Sequence, residues 1–305
     1  MTDWASLLGD AVAASRADAT GAPASYIPEL AHVPLEQTSA AMTGVDGSVA
    51  VAGDEASHRF TLQSSAKLIL LAGLLEELGE DAVFSVVGAE PTGASFASVA
   101  QLEAHPKPSN PLVNAGAIAL VGLLPGNLED KLAWIDRWAE RLSGSPLAIH
   151  HRIWASERRT GDRNRSLAWL LKAAGRLERV DETLEAYFAL CSLEAGVREA
   201  SHLPAVLAAG GISPSRGERV LSRANAARVV ALMATCGMYD ESGAFLLATG
   251  LPAKSGVSGV IVAVAPGRAG IAVASPRVNA KGGSVRGHRI LRSIAAQTGW
   301  HFALP

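Results

Sequence analysis

Apolar and polar positions follow two different rhythms along this chain. Residues 3–15 (DWASLLGDAVAAS) read as a helix, and residues 20–28 as an irregular stretch broken by Gly and Pro. From 41 to 62 the pattern changes. GVDGSVAVAGD and HRFTLQS alternate and are punctuated by Gly, which predicts a strand pair. An apolar run at 65–78 predicts a helix stopped by Gly79. The stretch 86–114 is rich in Gly, Pro, Ser and Asn and too long for an idle connection, so it is a candidate functional loop. Leu128, Leu132, Ile135, Ala139 and Leu142 keep helical spacing over 128–142. Further helices fit 164–174, 182–194, 196–209, 222–235 and 284–297. GVIVAVAPGRAGIAVASP reads as two strands about a Pro-Gly turn.

Strands therefore lie near both ends and helices fill the middle. That order predicts an α+β protein whose antiparallel sheet is built from both chain ends, flanked by helices, with a helical lobe inserted. No linker interrupts the chain, so one domain over 1–305 is expected. Its mixed lobe would take about 1–65 and 240–305, and its helical lobe about 66–239.

Composition narrows the classes. The chain has 305 residues, is 49% hydrophobic and 18% charged, and carries a net charge of -2. That suits a globular protein and gives no support to a nucleic-acid or membrane-surface role. No run of about 18 apolar residues suggests a membrane span, and the start lacks a basic leader region. The two cysteines, Cys191 and Cys236, are far apart, as in a reduced, cytoplasmic protein.

The chemistry starts at QSSAK, residues 63–67, where Lys67 opens a helix that otherwise reads as buried. Lysine is rarely buried without a purpose. Ser64 and Lys67, three apart, share one helix face with Cβ atoms about 5–6 Å apart. A serine hydroxyl needs a base to become a nucleophile, and a lysine amine desolvated by Leu68, Leu70 and Leu71 can be that base. The helix start also offers N–H groups to a developing oxyanion. The plain alternative is a capping serine beside a snorkelling lysine. Lys254-Ser255-Gly256 shifts the balance. S-x-x-K on a helix and K-[ST]-G on a strand are two of three marks of the penicillin-binding and β-lactamase architecture; the third, S-D-N, is absent. G-x-S-x-G, phosphate-loop, dinucleotide and H-E-x-x-H motifs are absent too. His150 and His151 read as surface or capping residues.

Several polar residues stand in otherwise apolar or Gly-rich stretches: Asn114 in PSNPLVNAGAI, Glu157 and Asn164 in SERRTGDRN, Tyr187 in EAYFALCS, Tyr239 in CGMYDESG and Tyr26 in SYIPEL. Each alone could be a cap, an ion pair or core. FTLQSSAK, EPTG, NPLVNAGAI, SERRTGDRN, YFALCS, GGISP, CGMYD and GLPAKSGVSGV, in that order, resemble the serine-dependent glutaminases from Tyr26 to about Gly287. The resemblance implies a β-lactamase-like fold and hydrolysis of L-glutamine to L-glutamate and ammonia, with no organic cofactor and no catalytic metal. It implies Ser64 as nucleophile, Lys67 as base, Tyr239 as proton carrier to the leaving amine, and Tyr26 lining the pocket near the nucleophile. Gln63, Asn114, Glu157, Asn164 and Tyr187 would hold the substrate, and the backbone N–H groups of Ser64 and Val257 the oxyanion. A homodimer or homotetramer is implied as well. The chain departs from the usual pattern at Ser65, Ala97 and Gly283, none of them a named catalytic group. Two other readings stand beside this one: a different amide hydrolase or β-lactam-binding enzyme on the same scaffold, and a non-catalytic amino-acid-binding protein.

Overall fold

The computed structural model describes residues 3–25, 27–93 and 97–304. The chain opens with α1 (Trp4–Ser15), then β1 (Ser39–Gly44), β2 (Val49–Gly53) and the short β3 (Phe60–Thr61). A run of helices follows: α2 (Lys67–Val86), α3 (Val99–Ala104), α4 (Asn114–Val121), α5 (Leu128–Ser143), α6 (His151–Thr160), α7 (Asp162–Ala173) and α8 (Val180–Cys191). After β4 (Glu194–Ala195) come α9 (Val197–Ala208), α10 (Arg223–Cys236) and α11 (Ser242–Thr249). β5 (Ala253–Gly256), β6 (Val260–Ala265), β7 (Ala269–Ala274) and α12 (Val285–Thr298) close the chain.

The main sheet runs β2-β1-β7-β6-β5, antiparallel throughout, so strands from both chain ends make it. β1 lies between the hairpin partner β2 and the distant β7, with Ser39 opposite both Gly53 and Ala274. Side chains on a strand point alternately to its two faces. Here Val260, Val262, Val264, Ala272 and Ala274 join the core that holds Leu203, Val206 and Leu207 of α9. Ile261, Ala263, Ala265, Ile271 and Val273 join the core that holds Leu8 and Val12 of α1 and Ile290, Leu291 and Ile294 of α12. Both faces are covered, which is why β6 and β7 read as continuous apolar runs. Gly270 lets α9 touch the sheet: a Cβ there would fall 2.1 Å from Ala205 N.

The sequence places most helices within a few residues, but several points differ. The first strand pair forms earlier, between β1 and β2. Its turn sits inside GVDGSVAVAGD, where Asp46 accepts from Ser48 N at 3.0 Å and Gly47 takes φ 85°. HRFTLQS contributes only Phe60–Thr61, which pairs with Glu194–Ala195 in a separate two-stranded sheet. Gly79 breaks α2 with φ 80° but does not end it; the helix resumes to Val86. The 86–114 stretch carries the short α3, and SERRT belongs to α6. His150 caps α6, its Nδ1 accepting from Ile153 N at 3.3 Å. No helix among the described residues is long and apolar enough to cross a membrane.

Two histidines make the fold acid-sensitive. Burial pushes His58 down to about 4, and His288 likewise to about 4. An unfolded histidine titrates near 6.5. The unfolded chain therefore binds these protons first, and the stability they confer is full above about pH 6.5 and falls as pH drops toward about 4. His58 alone should account for a loss on the order of 3 kcal/mol across that window. Urea unfolding at stepped pH checks this, and His58→Gln should flatten the slope; an unchanged slope excludes His58 as its source.

Candidate active site

The site grows from the turn that joins β3 to α2. Gln63–Ala66 forms a 3₁₀ turn, and Leu62 N donates to Leu193 O at 2.8 Å, fixing its start. Lys67 is the first residue of α2, and Leu68–Leu75 behind it are all buried. The lysine side chain is 1% exposed. Its Nζ donates to Asn114 Oδ1 at 2.7 Å and to Leu112 O at 3.1 Å, and stands 3.5 Å from the Tyr239 hydroxyl. The Tyr239 hydroxyl in turn is hydrogen-bonded to the half-buried Ser64 side chain. Thus Ser64, Tyr239 and Lys67 form one connected set. Asn114 extends it, donating from Nδ2 to Asn164 Oδ1 at 2.9 Å. Asn114 is not a helix cap; Val113 holds that place without a side-chain bond.

Gln63 and Tyr239 are the two non-glycine residues with positive φ among the described residues, at 49° and 56°. Such backbone costs on the order of 1–3 kcal/mol each and persists only where its surroundings hold it. At Tyr239 the holding group is Ser242, whose Oγ accepts from Met238 N at 3.0 Å and donates to Tyr239 O at 2.8 Å. Both strained residues flank Ser64.

Glu157 lies on the inner face of α6, 5% exposed. Its arginine neighbours turn elsewhere: Arg158 pairs with Glu185 at 2.7 Å and Arg159 with Glu29 at 3.4 Å. Glu157 instead shares a hydrogen bond with Gln63. Tyr187 is buried in the main core, its hydroxyl hydrogen-bonded to Cys191 and within electrostatic reach of Glu157 and Tyr239. Val257 follows β5 and packs with Ile27, Leu30 and Ile153, the last one turn before Glu157. The end of β5 presses on the 3₁₀ turn: a Cβ at Gly256 would meet Leu62 O at 2.5 Å. Ser258 Oγ adds a bond to Thr61 O at 2.7 Å. Tyr26 lies outside the described residues.

Electrostatics follow burial. Desolvation lowers Lys67 to about 8, against the pull of Cys191 and Glu157. Desolvation raises Glu157 to about 7, although Gln63 and Lys67 oppose it. Burial also raises Tyr239 well above the ordinary phenol range, with the Ser64 bond acting against it. Cys191 is pushed up to about 12 by burial, so its thiol stays protonated. Near neutral pH the site therefore offers a lysine that is still mostly charged but gives up its proton far more readily than an ordinary lysine, and a glutamate half charged. A hydroxyl bonded to a phenol that touches an amine with so lowered a proton affinity is equipped to lose its proton as pH rises.

Two contributors were not legible in sequence. Asn110 holds the loop that presents Leu112 O to Lys67. Its Oδ1 accepts from Leu112 N at 3.0 Å and Val113 N at 3.1 Å, and its Nδ2 donates to Glu90 O at 2.8 Å. The Asn-Pro dipeptide at 110–111 was its turn signal. Cys191, the last residue of α8, had no signal beyond its place in YFALCS. Among the described residues no group of three His, Cys, Asp or Glu side chains is placed to hold a metal ion.

Known proteins share this arrangement of chain. The glutaminase family model matches residues 21–302. A glutaminase of Legionella pneumophila (strain Corby) is 49% identical over 301 residues, covering 98% of this chain and 97% of that protein. The solved structure of a probable glutaminase, ybaS, is 40% identical, with TM-score 0.94 and full coverage of both chains. A probable glutaminase from Bacillus subtilis, solved in complex with 6-diazo-5-oxo-L-norleucine, is 34% identical with TM-score 0.91. It covers 99% of this chain and 97% of its own. With the family matched from near the start to near the end, and whole-length relatives close to half identical, the chain belongs to the glutaminase family.

Proposed function

We propose that the protein hydrolyses L-glutamine to L-glutamate and ammonia through a glutamyl ester on Ser64. The observation that carries this reading is the connected Ser64, Tyr239 and Lys67 set, with the lysine buried and lowered to about 8. Lys67 takes the Ser64 proton as Oγ adds to the side-chain carbonyl carbon. The backbone N–H groups of Ser64 and Val257 receive the developing oxyanion. The C–N bond then breaks, the nitrogen takes a proton relayed from Lys67 by way of Tyr239, and ammonia leaves. Water gives a proton to Lys67 as its oxygen adds to the ester carbon; the ester C–O bond breaks, Ser64 Oγ takes that proton from Lys67, and glutamate leaves.

Recognition divides by charge. Glu157 is the acid among the candidate residues and takes the substrate ammonium, which would be costly to bury unpaired. Asn114 and Asn164 supply neutral donors to the substrate carboxylate. Gln63 orients Glu157, and Tyr187 closes the pocket wall. Tyr26 is assigned to the same pocket near the nucleophile.

Ammonia release by the purified protein tests the function, with glutamine, asparagine and glutaramic acid as parallel substrates. Glutaramic acid is glutamine without the α-amine and should be a very poor substrate. Glu157→Gln keeps the size, loses the charge, and should lower kcat/KM for glutamine by at least about tenfold, or about 1.4 kcal/mol. Glu157 is charged only above about 7, so KM for glutamine should fall as pH rises through 7, and this dependence should vanish in the variant. Equal kcat/KM for glutamine and glutaramic acid on the natural enzyme would remove Glu157 as reader of the amine.

A further inference from the structure

We propose that Lys254 is a positioning residue, whose amine rests on the ring of Tyr239 and holds the phenol where it can pass a proton from Lys67 to the leaving nitrogen. The inference rests on the proton-carrying role assigned to Tyr239 above. Lys254 is 0% exposed and among the largest fully buried side chains of the described residues. Burying an amine is expensive unless its N–H groups find partners. The charged or titratable groups that act on it are Lys67 and Cys191, with no carboxylate among them. Its Nζ donates to Ser255 O at 2.7 Å and lies 4.0 Å from the centroid of the Tyr239 ring. The Lys67 amine is 5.7 Å from the same centroid. Packing alone would favour methionine or leucine here. An N–H group laid on an aromatic face is the interaction that a lysine adds.

Tyr239 sits at φ 56°, where Ser242 secures its backbone and Ser64 bonds its hydroxyl; Lys254 adds a contact on the face of the ring. Lys254 reaches the ring from β5, which is fastened to the turn before Tyr239. Ser255 N donates to Gly237 O at 3.5 Å, and a Cβ on Gly237 would fall 1.8 Å from Ala253 O. Strand, turn and ring thus form one rigid piece. The titratable groups around Lys254 are Lys67, Cys191 and Tyr239. Burial, reinforced by Lys67, holds Lys254 well below the ordinary lysine range. Both influences favour the neutral form of Lys254, which lessens like-charge repulsion when Lys67 gains its proton.

A double-mutant cycle on the full chain decides the matter, using Lys254→Met, Tyr239→Phe and the pair. Lys254→Met should fold and lower kcat by about tenfold or more, with KM for glutamine within about threefold, because the relay and not the pocket is disturbed. In the Tyr239→Phe background the same change should alter kcat by less than about twofold. Equal fractional losses in both backgrounds, or a loss carried by KM, overturn the proposal. Tyr239→Phe at full rate overturns the role of Tyr239 itself, which is a different failure. If Lys254→Met does not fold, Lys254→Gln, which keeps an N–H donor for Ser255 O, takes its place in the cycle with the same two outcomes.

Discussion

Ser64→Ala is expected to end turnover and leave glutamine binding measurable. In the proposed mechanism the hydroxyl supplies the bond-forming atom, so its loss should lower kcat on the order of 10⁵-fold or more. Binding survives because the hydroxyl is one contact among several. Glu157 stays beside Gln63, and Lys67 keeps its bonds to Asn114 and Leu112 O without it. Mass spectrometry supplies a direct view of the same atom. Incubation with 6-diazo-5-oxo-L-norleucine, the compound bound in the Bacillus subtilis structure, should add to the peptide holding Ser64 the mass of that compound less the dinitrogen its diazo group loses on alkylation. The adduct should be missing from the alanine variant, while calorimetry still detects glutamine. An adduct on any other residue, or an alanine variant with near-normal rate, would withdraw Ser64 as nucleophile.

Lys67→Met is expected to have the second largest effect, on the order of 10³-fold in kcat, the range of a lost general base. Methionine keeps the length and apolar packing of the side chain while removing the amine. The pH dependence carries the sharper test. Lys67 is lowered to about 8 from an ordinary lysine value, so its neutral, proton-accepting form grows as pH rises through 8. Glu157 adds a lower ionisation near 7, from the substrate side. In the natural enzyme kcat/KM should therefore rise over two steps between about pH 6 and 9, as macroscopic values of the coupled pair. Glu157→Gln should leave the upper step and Lys67→Met the lower one. If Lys67→Met kept most of the rate and the same profile, Tyr239 would be the next base to examine.

How far the sequence reached differs from element to element. QSSAK was readable because its chemistry is contiguous: two functional groups one helical turn apart, with an apolar run behind. β6 and β7 were readable because a Pro-Gly turn splits one long apolar run. β1 was not, since SAAMTG holds small residues and few strand formers. What makes it a strand is its pairing on both edges, β2 on one and β7 on the other. α6 was hidden by its own polarity, for Arg158 and Arg159 point outward while Glu157 points in. α4 was hidden for the opposite reason: NAGAIALV is buried all round, and a helix without an exposed face shows no period. The proposed partners of the serine were found by resemblance to a family. Their hydrogen bonds, and the 2.7 Å contact of Lys67 with Asn114 above all, belong to the fold.

The seating of β1 against β7 sets a schedule for biosynthesis. The hairpin of β1 and β2 leaves the ribosome early, while the strand that completes it lies about 230 residues further on, from Ser39 to Ala269. At the usual ~5–20 residues per second, the hairpin waits on the order of 10–45 seconds with one edge unpaired. An open edge is a template for a neighbouring chain. The nascent chain thus needs shielding over that interval, and its main sheet closes only after β7 has emerged. A rearranged chain in which β7 is made just before β1 would shorten the delay, and aggregation during synthesis should fall with it.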